Sequence, residues 1–194
     1  MEVEILELNE LKARFILRGT CPAFANALRR AMIADVPTMA IDYIHVIENT
    51  SAFHDEYIAH RLGLIPLTTD LDTFRLPEEC DCGSEAGCPR CRAVLSLSVE
   101  VPEGEPPRII YSRDLKPVTE PPVRPISGEI PIVKLLGGQR LEIEAVARLG
   151  RGREHAKWSP VSVAAYKFEP KIEIDPDRCD GCLSAVSYTH LTLP

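Results

Sequence analysis

Residues 24–41 read FANALRRAMIADVPTMAI, and this stretch predicts one helix followed directly by one strand. Apolar residues recur at helical spacing in its first half, namely Phe24, Ala27, Leu28, Ala31 and Met32. A cap and a proline near the first helical position precede the helix at residues 20–22, and Val36 with Pro37 ends it. Asn26, Arg29 and Arg30 fall largely off the apolar stripe. The apolar face therefore needs either a core or a partner surface.

Strand-like runs surround this helix on both sides. Residues 2–8 and 12–18 are short β-like runs that predict an opening hairpin. A brief helix is predicted at 55–62, closed by Gly63. Further strands are predicted, in chain order, at 41–47, 94–101, 141–149, 161–168 and 171–174. Many strands and few helices in this order indicate an α+β fold.

The overall composition excludes several classes of protein. The chain has 194 residues, 45% of them hydrophobic, which is enough for one compact domain or two small ones. A net charge of −7 argues against a protein that grips phosphate backbones over a broad surface, so partners should mostly be proteins. The start lacks the basic and apolar regions of a signal peptide, and no apolar run reaches transmembrane length. We therefore expect a soluble, cytoplasmic protein without a membrane partner.

Four of the seven cysteines form the motif Cys80-x-Cys82-x5-Cys88-x2-Cys91 in a loop that contains glycines and a proline. Tetrahedral Zn²⁺ requires four thiolates at close range, and a glycine-rich loop can wrap them without strain. The loop has few apolar residues to order itself, and a bound ion would supply that order. The spacing thus predicts a structural zinc site without catalysis, with reduced free thiols as the alternative. Cys21, beside the helix start, is expected to be a small buried hydrophobic residue.

The fingerprints of common enzymes are absent from the sequence. There is no phosphate-binding loop, no dinucleotide-binding glycine pattern and no zinc-protease motif. Asp70 and Asp72 form a tight Asp-x-Asp pair, which we interpret as a turn. The five histidines are scattered, and none is a candidate catalytic residue. A local basic patch at 148–157 could contact nucleic acid or an acidic neighbour, but a solvated loop or a contact to another subunit is favoured.

Three segments resemble the D subunit of archaeal RNA polymerase, a relative of the bacterial alpha subunit. They are residues 24–41, quoted above, residues 55–67, which read DEYIAHRLGLIPL, and residues 155–161, which read HAKWSPV. The resemblance implies a discontinuous dimerisation domain made from two segments of the chain, interrupted by a mostly β inserted domain. The dimerisation domain would comprise 1–41 and 150–174, and the inserted domain 42–149 with its cysteine-rich loop at 80–91.

The same resemblance implies a non-catalytic scaffold subunit of a DNA-dependent RNA polymerase. Such subunits pair with a small L-type subunit through helices, and the pair is the platform for the two large catalytic subunits and other small subunits. The chain would then belong to a nucleotidyltransferase complex without having an active site, and it would meet DNA only through the holoenzyme. The implied interface residues are Phe24, Leu28, Arg29, Arg30 and Met32. A four-cysteine loop also occurs in members of this family and their eukaryotic relatives.

Near Cys179 and Cys182, many archaeal D subunits begin a ferredoxin-like module with iron-sulfur ligands. Residues 175–186 resemble the start of such a module, but no further cysteine follows to complete a cluster. Residues 187–194 resemble neither the module nor the long C-terminal dimerisation helix of the family. We therefore expect a truncation or a foreign tail there.

Two other functions stay open at this stage. The first is a small iron-sulfur redox protein, because cysteine pairs occur in two regions. The second is a free-standing, zinc-stabilised protein-binding module that acts outside any polymerase. Neither explains the order of the three polymerase-like segments.

Overall fold

The computed structural model describes residues 1–84 and 87–170, and it has the predicted α+β fold. Its strands are β1 (Glu2–Leu8), β2 (Ala13–Arg18), β3 (Thr38–Asn49), β4 (Arg92–Glu100), β5 (Arg108–Tyr111), β6 (Lys116–Pro117), β7 (Pro131–Leu135) and β8 (Arg140–Gly150). Its α-helices are α1 (Pro22–Ala34) and α2 (Asp55–Gly63). Single turns of 3-10 helix occur at Pro77–Glu79, Ser112–Asp114 and Ala156–Trp158.

The largest sheet has four antiparallel strands in the order β3-β8-β4-β6. The alternating apolar residues of β4 and β8 produce this sheet, because alternate side chains of a strand point to the same face. Leu95 lies opposite Ala145, and Leu97 opposite Ile143. These four side chains are at most 1% exposed. The predicted strands at 94–101 and 141–149 are thus confirmed, and they form the centre of the core.

Helix α2 closes one side of this core. Its residues Ile58 and Leu62 are almost fully buried. The predicted helix at 55–62, closed by Gly63, is confirmed. Gly63 is the last residue of the helix, and Leu64 follows in a right-handed conformation. A Cβ at Gly63 would lie 3.5 Å from the carbonyl oxygen of Ile41, an ordinary contact, so packing does not require glycine here.

The N-terminal hairpin and α1 have a different character from the sheet. Strands β1 and β2 pair antiparallel, as predicted. Helix α1 also forms as predicted, beginning at Pro22 and ending before Pro37, but none of its residues is buried by the described part of the chain. Cys21, its N-cap residue, is exposed, so the expectation of a buried cysteine is wrong. The described residues therefore cover α1 only in part.

The strand predicted at 161–168 is wrong. Residues 163–170 have no regular secondary structure, and Val163 and Phe168 are 79% and 74% exposed. A strand needs a hydrogen-bonded neighbour, and this run pairs with no strand within the described residues. The strand predicted at 171–174, together with Cys179, Cys182 and the proposed tail, lies outside the described residues.

Candidate metal centre and interface helix

The four-cysteine loop is fastened to the core at both ends. The backbone N–H of Arg75 donates to the carbonyl of Arg90 over 2.8 Å, which closes the base of the loop. Leu76 is buried just before the loop, and Cys91 is buried at its end, immediately before β4. The core therefore fixes where the loop starts and stops, and the residues between must be ordered by their own contacts.

The thiol groups of Cys80, Cys82, Cys88 and Cys91 come together, and all four sulfur atoms lie within 4.8 Å of one another. The Cys80–Cys88 and Cys88–Cys91 sulfur pairs are each 3.7 Å apart, and Cys82–Cys91 is 4.0 Å. Four sulfurs around a tetrahedral zinc, with Zn–S bonds of about 2.3 Å, would be separated by about 3.8 Å. The spacing of the thiols therefore fits a single zinc ion with four protein ligands.

Backbone amides and burial give these thiols unequal acidities. The N–H of Arg90 points at the sulfur of Cys88 over 3.4 Å, and it helps lower the pKa of that thiol to about 7. Burial raises the pKa of Cys91 to about 12, although the N–H of Cys88 donates to its sulfur over 3.1 Å. A metal that binds here must displace a proton from Cys91 at neutral pH.

Glycine at position 87 permits the close wrapping of the loop. Its φ of +76° is in the left-handed region, where other residues are strained. A Cβ there would also lie 3.3 Å from the sulfur of Cys91 and 3.1 Å from the side chain of Arg92. Any side chain at Gly87 would thus press on a candidate metal ligand.

A second cluster centres on Asp42, at the start of the predicted inserted domain. Its carboxylate accepts from Arg148 Nε over 2.7 Å and from Lys157 Nζ over 2.8 Å. Both cations also lie over the ring of Trp158, at 4.5 Å and 4.3 Å from its centroid. Burial opposes ionisation of Asp42, but the hydrogen bonds from Lys157 and Arg148 outweigh it, so its pKa is lowered.

This cluster changes the interpretation of the basic patch at 148–157. Arg148 and Lys157 are paired with Asp42, and Arg151 pairs with Glu78 and Glu79. Most of the positive charge is therefore neutralised within the chain and is not offered to nucleic acid. No local pattern predicts the Asp42 pairs, because Asp42 lies 106 residues from Arg148.

The five candidate interface residues lie on α1 with different surroundings. Phe24 is 42% exposed, and Leu28 and Met32 are partly exposed. Arg29 is held by its own helix, since its guanidinium donates to Asn26 Oδ1 over 3.1 and 3.2 Å. Arg30 is exposed. The nearby hairpin also exposes large apolar side chains, including Val3, Ile5, Leu6, Leu8 and Leu11.

The Asp-x-Asp pair is predicted to form a turn. Asp70 and Asp72 form a turn as predicted, because Asp70 Oδ1 accepts from the backbone N–H of Asp72 over 3.0 Å. Among residues 1–84 and 87–170, the four cysteines are the one group of potential ligands close enough for a metal ion. No helix in the same part of the chain is both long and apolar enough to span a membrane.

Comparison with known proteins supports the family resemblance. The family model described as the RNA polymerase Rpb3/RpoA insert domain matches residues 43–165. The DNA-directed RNA polymerase subunit Rpo3 of Archaeoglobus fulgidus is 48% identical over 181 residues, covering 93% of this chain and 66% of that relative. Subunit Rpo3 of Methanothermobacter thermautotrophicus is 41% identical over 189 residues, covering 96% of this chain and 68% of that relative.

A polymerase subunit from a eukaryote is also similar to this chain. DNA-directed RNA polymerase II subunit rpb3 of Dictyostelium discoideum is 45% identical over 189 residues, covering 92% of this chain and 61% of that relative. The chain belongs to the RNA polymerase Rpb3/RpoA insert-domain family. Rpo3 is another name for the archaeal subunit called D above. The chain spans about two thirds of the length of the curated relatives it matches.

Proposed function

We propose that this chain is a non-catalytic assembly subunit of a multisubunit DNA-directed RNA polymerase in the cytoplasm. The observation that carries this proposal is the likeness to polymerase subunits named Rpo3 and rpb3 over more than nine tenths of the chain. All the relatives named above are polymerase subunits, so neither a redox protein nor a free-standing zinc module gains support from them. The chain would contribute to nucleotidyl transfer only by organising other subunits.

In this proposal the exposed apolar face of α1 pairs with a small L-type subunit, and the pair supports the two large catalytic subunits. Phe24, Leu28 and Met32 would form the apolar contact, with Arg29 and Arg30 beside it. The support is physical: α1 has regular helical spacing of apolar residues, yet none of its residues is buried by the described chain. Large exposed apolar surfaces are characteristic of protein interfaces.

We further propose a two-domain arrangement, in which residues 1–41 and 150–174 form a dimerisation domain around an inserted domain at 42–149. Two observations support this division. The buried core cluster runs from Met39 to Leu149, whereas the apolar residues of the hairpin and α1 are exposed or only partly buried. The matched insert-domain model begins at residue 43, beside the proposed boundary.

The cysteine loop is proposed to hold one structural zinc ion through Cys80, Cys82, Cys88 and Cys91. Sulfur separations near 3.8 Å and a loop with little apolar content support a metal that orders the inserted domain. Cys179 and Cys182 are proposed as part of an iron-sulfur ligand set.

Affinity purification from the source cells tests the assembly role. The tagged chain is purified gently, and the proteins that copurify are identified by mass spectrometry. We expect the large polymerase subunits and a small L-type partner. Two variants sharpen the result: Leu28→Glu places a charge on the apolar face of α1, whereas Ile126→Glu places one at a 65% exposed apolar residue of the inserted domain. Loss of partners only with Leu28→Glu supports the α1 interface, and absence of every polymerase subunit from all samples refutes the assembly role.

Metal analysis tests the zinc site separately. The purified chain is expected to contain about one zinc per molecule by elemental analysis, as four thiolate ligands bind one ion. Replacing Cys88 with Ser should remove the metal, while replacing the exposed Cys21 should not. A wild-type chain that takes up no zinc under reducing conditions would refute this part of the proposal.

A further inference from the structure

Arg151 connects the end of β8 to the cysteine loop. Its Nη2 lies 3.1 Å from a carboxylate oxygen of Glu79, and its Nη1 lies 3.8 Å from one of Glu78. Both glutamates belong to the single 3-10 turn Pro77–Glu79, and Cys80 follows directly. The Arg151 side chain is only 22% exposed, while both carboxylates are more than half exposed. The guanidinium therefore holds the segment that presents the first thiol.

The residues after Arg151 contact the C-terminal end of α1. The backbone N–H of Arg153 donates to the carbonyl of Ala34 over 3.2 Å. Gly152 lies so close to the helix that a Cβ there would run into the carbonyl oxygen of Ile33. This carbonyl and that of Ala34 belong to the last turn of α1, where backbone acceptors have no partner inside the helix. Residues 151–153 thus contact the cysteine loop on one side and the interface helix on the other.

The turn at 151–154 is well fixed as a local unit. The backbone N–H of Arg151 donates to Glu154 Oε1 over 3.2 Å, and the N–H of Glu154 donates back to the carbonyl of Arg151 over 2.9 Å. The residue that carries the guanidinium is therefore part of the turn that contacts α1.

The carboxylates that Arg151 contacts belong to the cysteine loop. Leu76 is anchored in the core, but Glu78, Glu79 and the thiols beyond them have few buried apolar neighbours. A loop of this kind is ordered mainly by its metal, because ligand binding and loop folding are linked. The backbone N–H of Glu79 donates to the carbonyl of Leu76 over 3.0 Å, so the two carboxylates lie between the core anchor and the four-thiol site.

We propose that Arg151 is a positioning residue that couples metal occupancy of the cysteine loop to the placement of α1. A loaded loop presents Glu78 and Glu79 to the guanidinium, the 151–154 turn is held, and its amide and Gly152 hold the end of the helix. The metal then contributes to the assembly surface without touching it. This inference rests on the proposed zinc site and on the proposed role of α1.

Hydrogen exchange measured by mass spectrometry tests the coupling in the whole chain. Four proteins are compared, each zinc-loaded and each after chelation: wild type, Arg151→Ala, Arg151→Lys and Arg153→Ala. Arg153 is the matched control, since it is an exposed arginine two residues away and makes no ion pair with any residue the structure describes. Zinc content is determined on every sample before exchange.

We expect zinc-loaded Arg151→Ala to keep its metal but to exchange about two- to fivefold faster at 31–36 and 150–154, the loss appropriate to a partly exposed charged contact. Chelation should raise exchange in the same segments of wild type and add little in Arg151→Ala. The exchange rate of Arg151→Lys should lie between those of wild type and Arg151→Ala, since lysine keeps the charge but loses the forked geometry. Arg153→Ala should behave as wild type at 31–36.

Two results would overturn the coupling while leaving the zinc site in place. One is a zinc-loaded Arg151→Ala protein whose exchange at 31–36 equals that of wild type. The other is an equal rise on chelation in Arg151→Ala and wild type, which would show a route that bypasses Arg151. A wild-type chain without zinc overturns the metal proposal itself and the coupling with it, and the zinc assay separates that case from the first two.

Discussion

The central sheet and helix α1 carry apolar residues with equally regular spacing, yet only the sheet buries them. Leu95 and Leu97 of β4 are 0% exposed, whereas Phe24 of α1 is 42% exposed. Regular spacing reports that an element has an apolar face, but it does not report which molecule covers that face. The core face of the sheet is covered within the chain, whereas the described residues cover α1 only in part.

Core truncation in the sheet should have the largest effect on stability. Leu97→Ala removes a fully buried side chain opposite Ile143 and should lower the free energy of unfolding by about 2–5 kcal/mol. Urea unfolding followed by circular dichroism measures this loss. Ser98→Ala, at the exposed neighbouring position, should change it by less than about 0.5 kcal/mol. Equal effects of the two substitutions would mean that β4 does not lie in the core.

Metal removal should have the second-largest effect on stability. A ligand present at 100 times its dissociation constant stabilises the folded chain by about 2.7 kcal/mol, so chelation of a zinc-loaded sample should cost an amount of this order. Cys88→Ser should show the same loss without a chelator and should respond to chelation no further. Thermal unfolding with and without added zinc provides the measurement. Unchanged unfolding after verified zinc removal would argue that the loop has no part in stability.

Loss of the Asp42 cluster should have a smaller, pH-dependent effect. Asp42→Asn weakens two ion pairs that are partly exposed, so we expect a loss of about 1–2 kcal/mol at pH 7. Because the pKa of Asp42 is lowered in the folded state, its stabilisation is present above the unfolded pKa of about 3.9 and is lost as pH falls through the folded value. The difference between wild type and Asp42→Asn should therefore shrink below about pH 4. A difference that stays constant from pH 7 to pH 3 would contradict this electrostatic explanation.

The smallest effect on the isolated chain should come from α1. Leu28→Ala removes a partly exposed side chain and should lower the free energy of unfolding by less than about 1 kcal/mol. The same change is expected to lower the recovery of the small L-type subunit, because the lost surface lies in the proposed contact. A cost as large as that of Leu97→Ala would place Leu28 in a core of the chain itself.

Much of the fold could be predicted because its elements have clear periods. The alternation in β4 and β8, the helical spacing in α1 and the spacing of Cys80, Cys82, Cys88 and Cys91 are all local signals. The predictions that were wrong concern contacts that local sequence does not encode. Residues 161–168 have strand-like composition but no described partner strand, and Cys21 was expected to be buried where no core exists.

The electrostatic contacts were missed for the same reason. Asp42 meets Arg148 and Lys157 across separations of 106 and 115 residues, and Arg151 meets Glu79 across 72. Charged residues are common in every segment of the chain, so no single position signals such a pair before the strands are placed. The basic patch consequently resembled a free surface in the sequence, although most of it is paired in the structure.

Hydrogen exchange of α1 in the presence of its proposed partner tests whether the small L-type subunit covers this helix. The chain is measured alone and in complex with the small L-type polymerase subunit from the same cells, with β4 as the internal reference. We expect at least about tenfold slower exchange at Pro22–Ala34 in the complex and little change at Arg92–Glu100, because the sheet is already covered. A complex that forms without added protection of α1, or no complex with any polymerase subunit, would contradict this expectation.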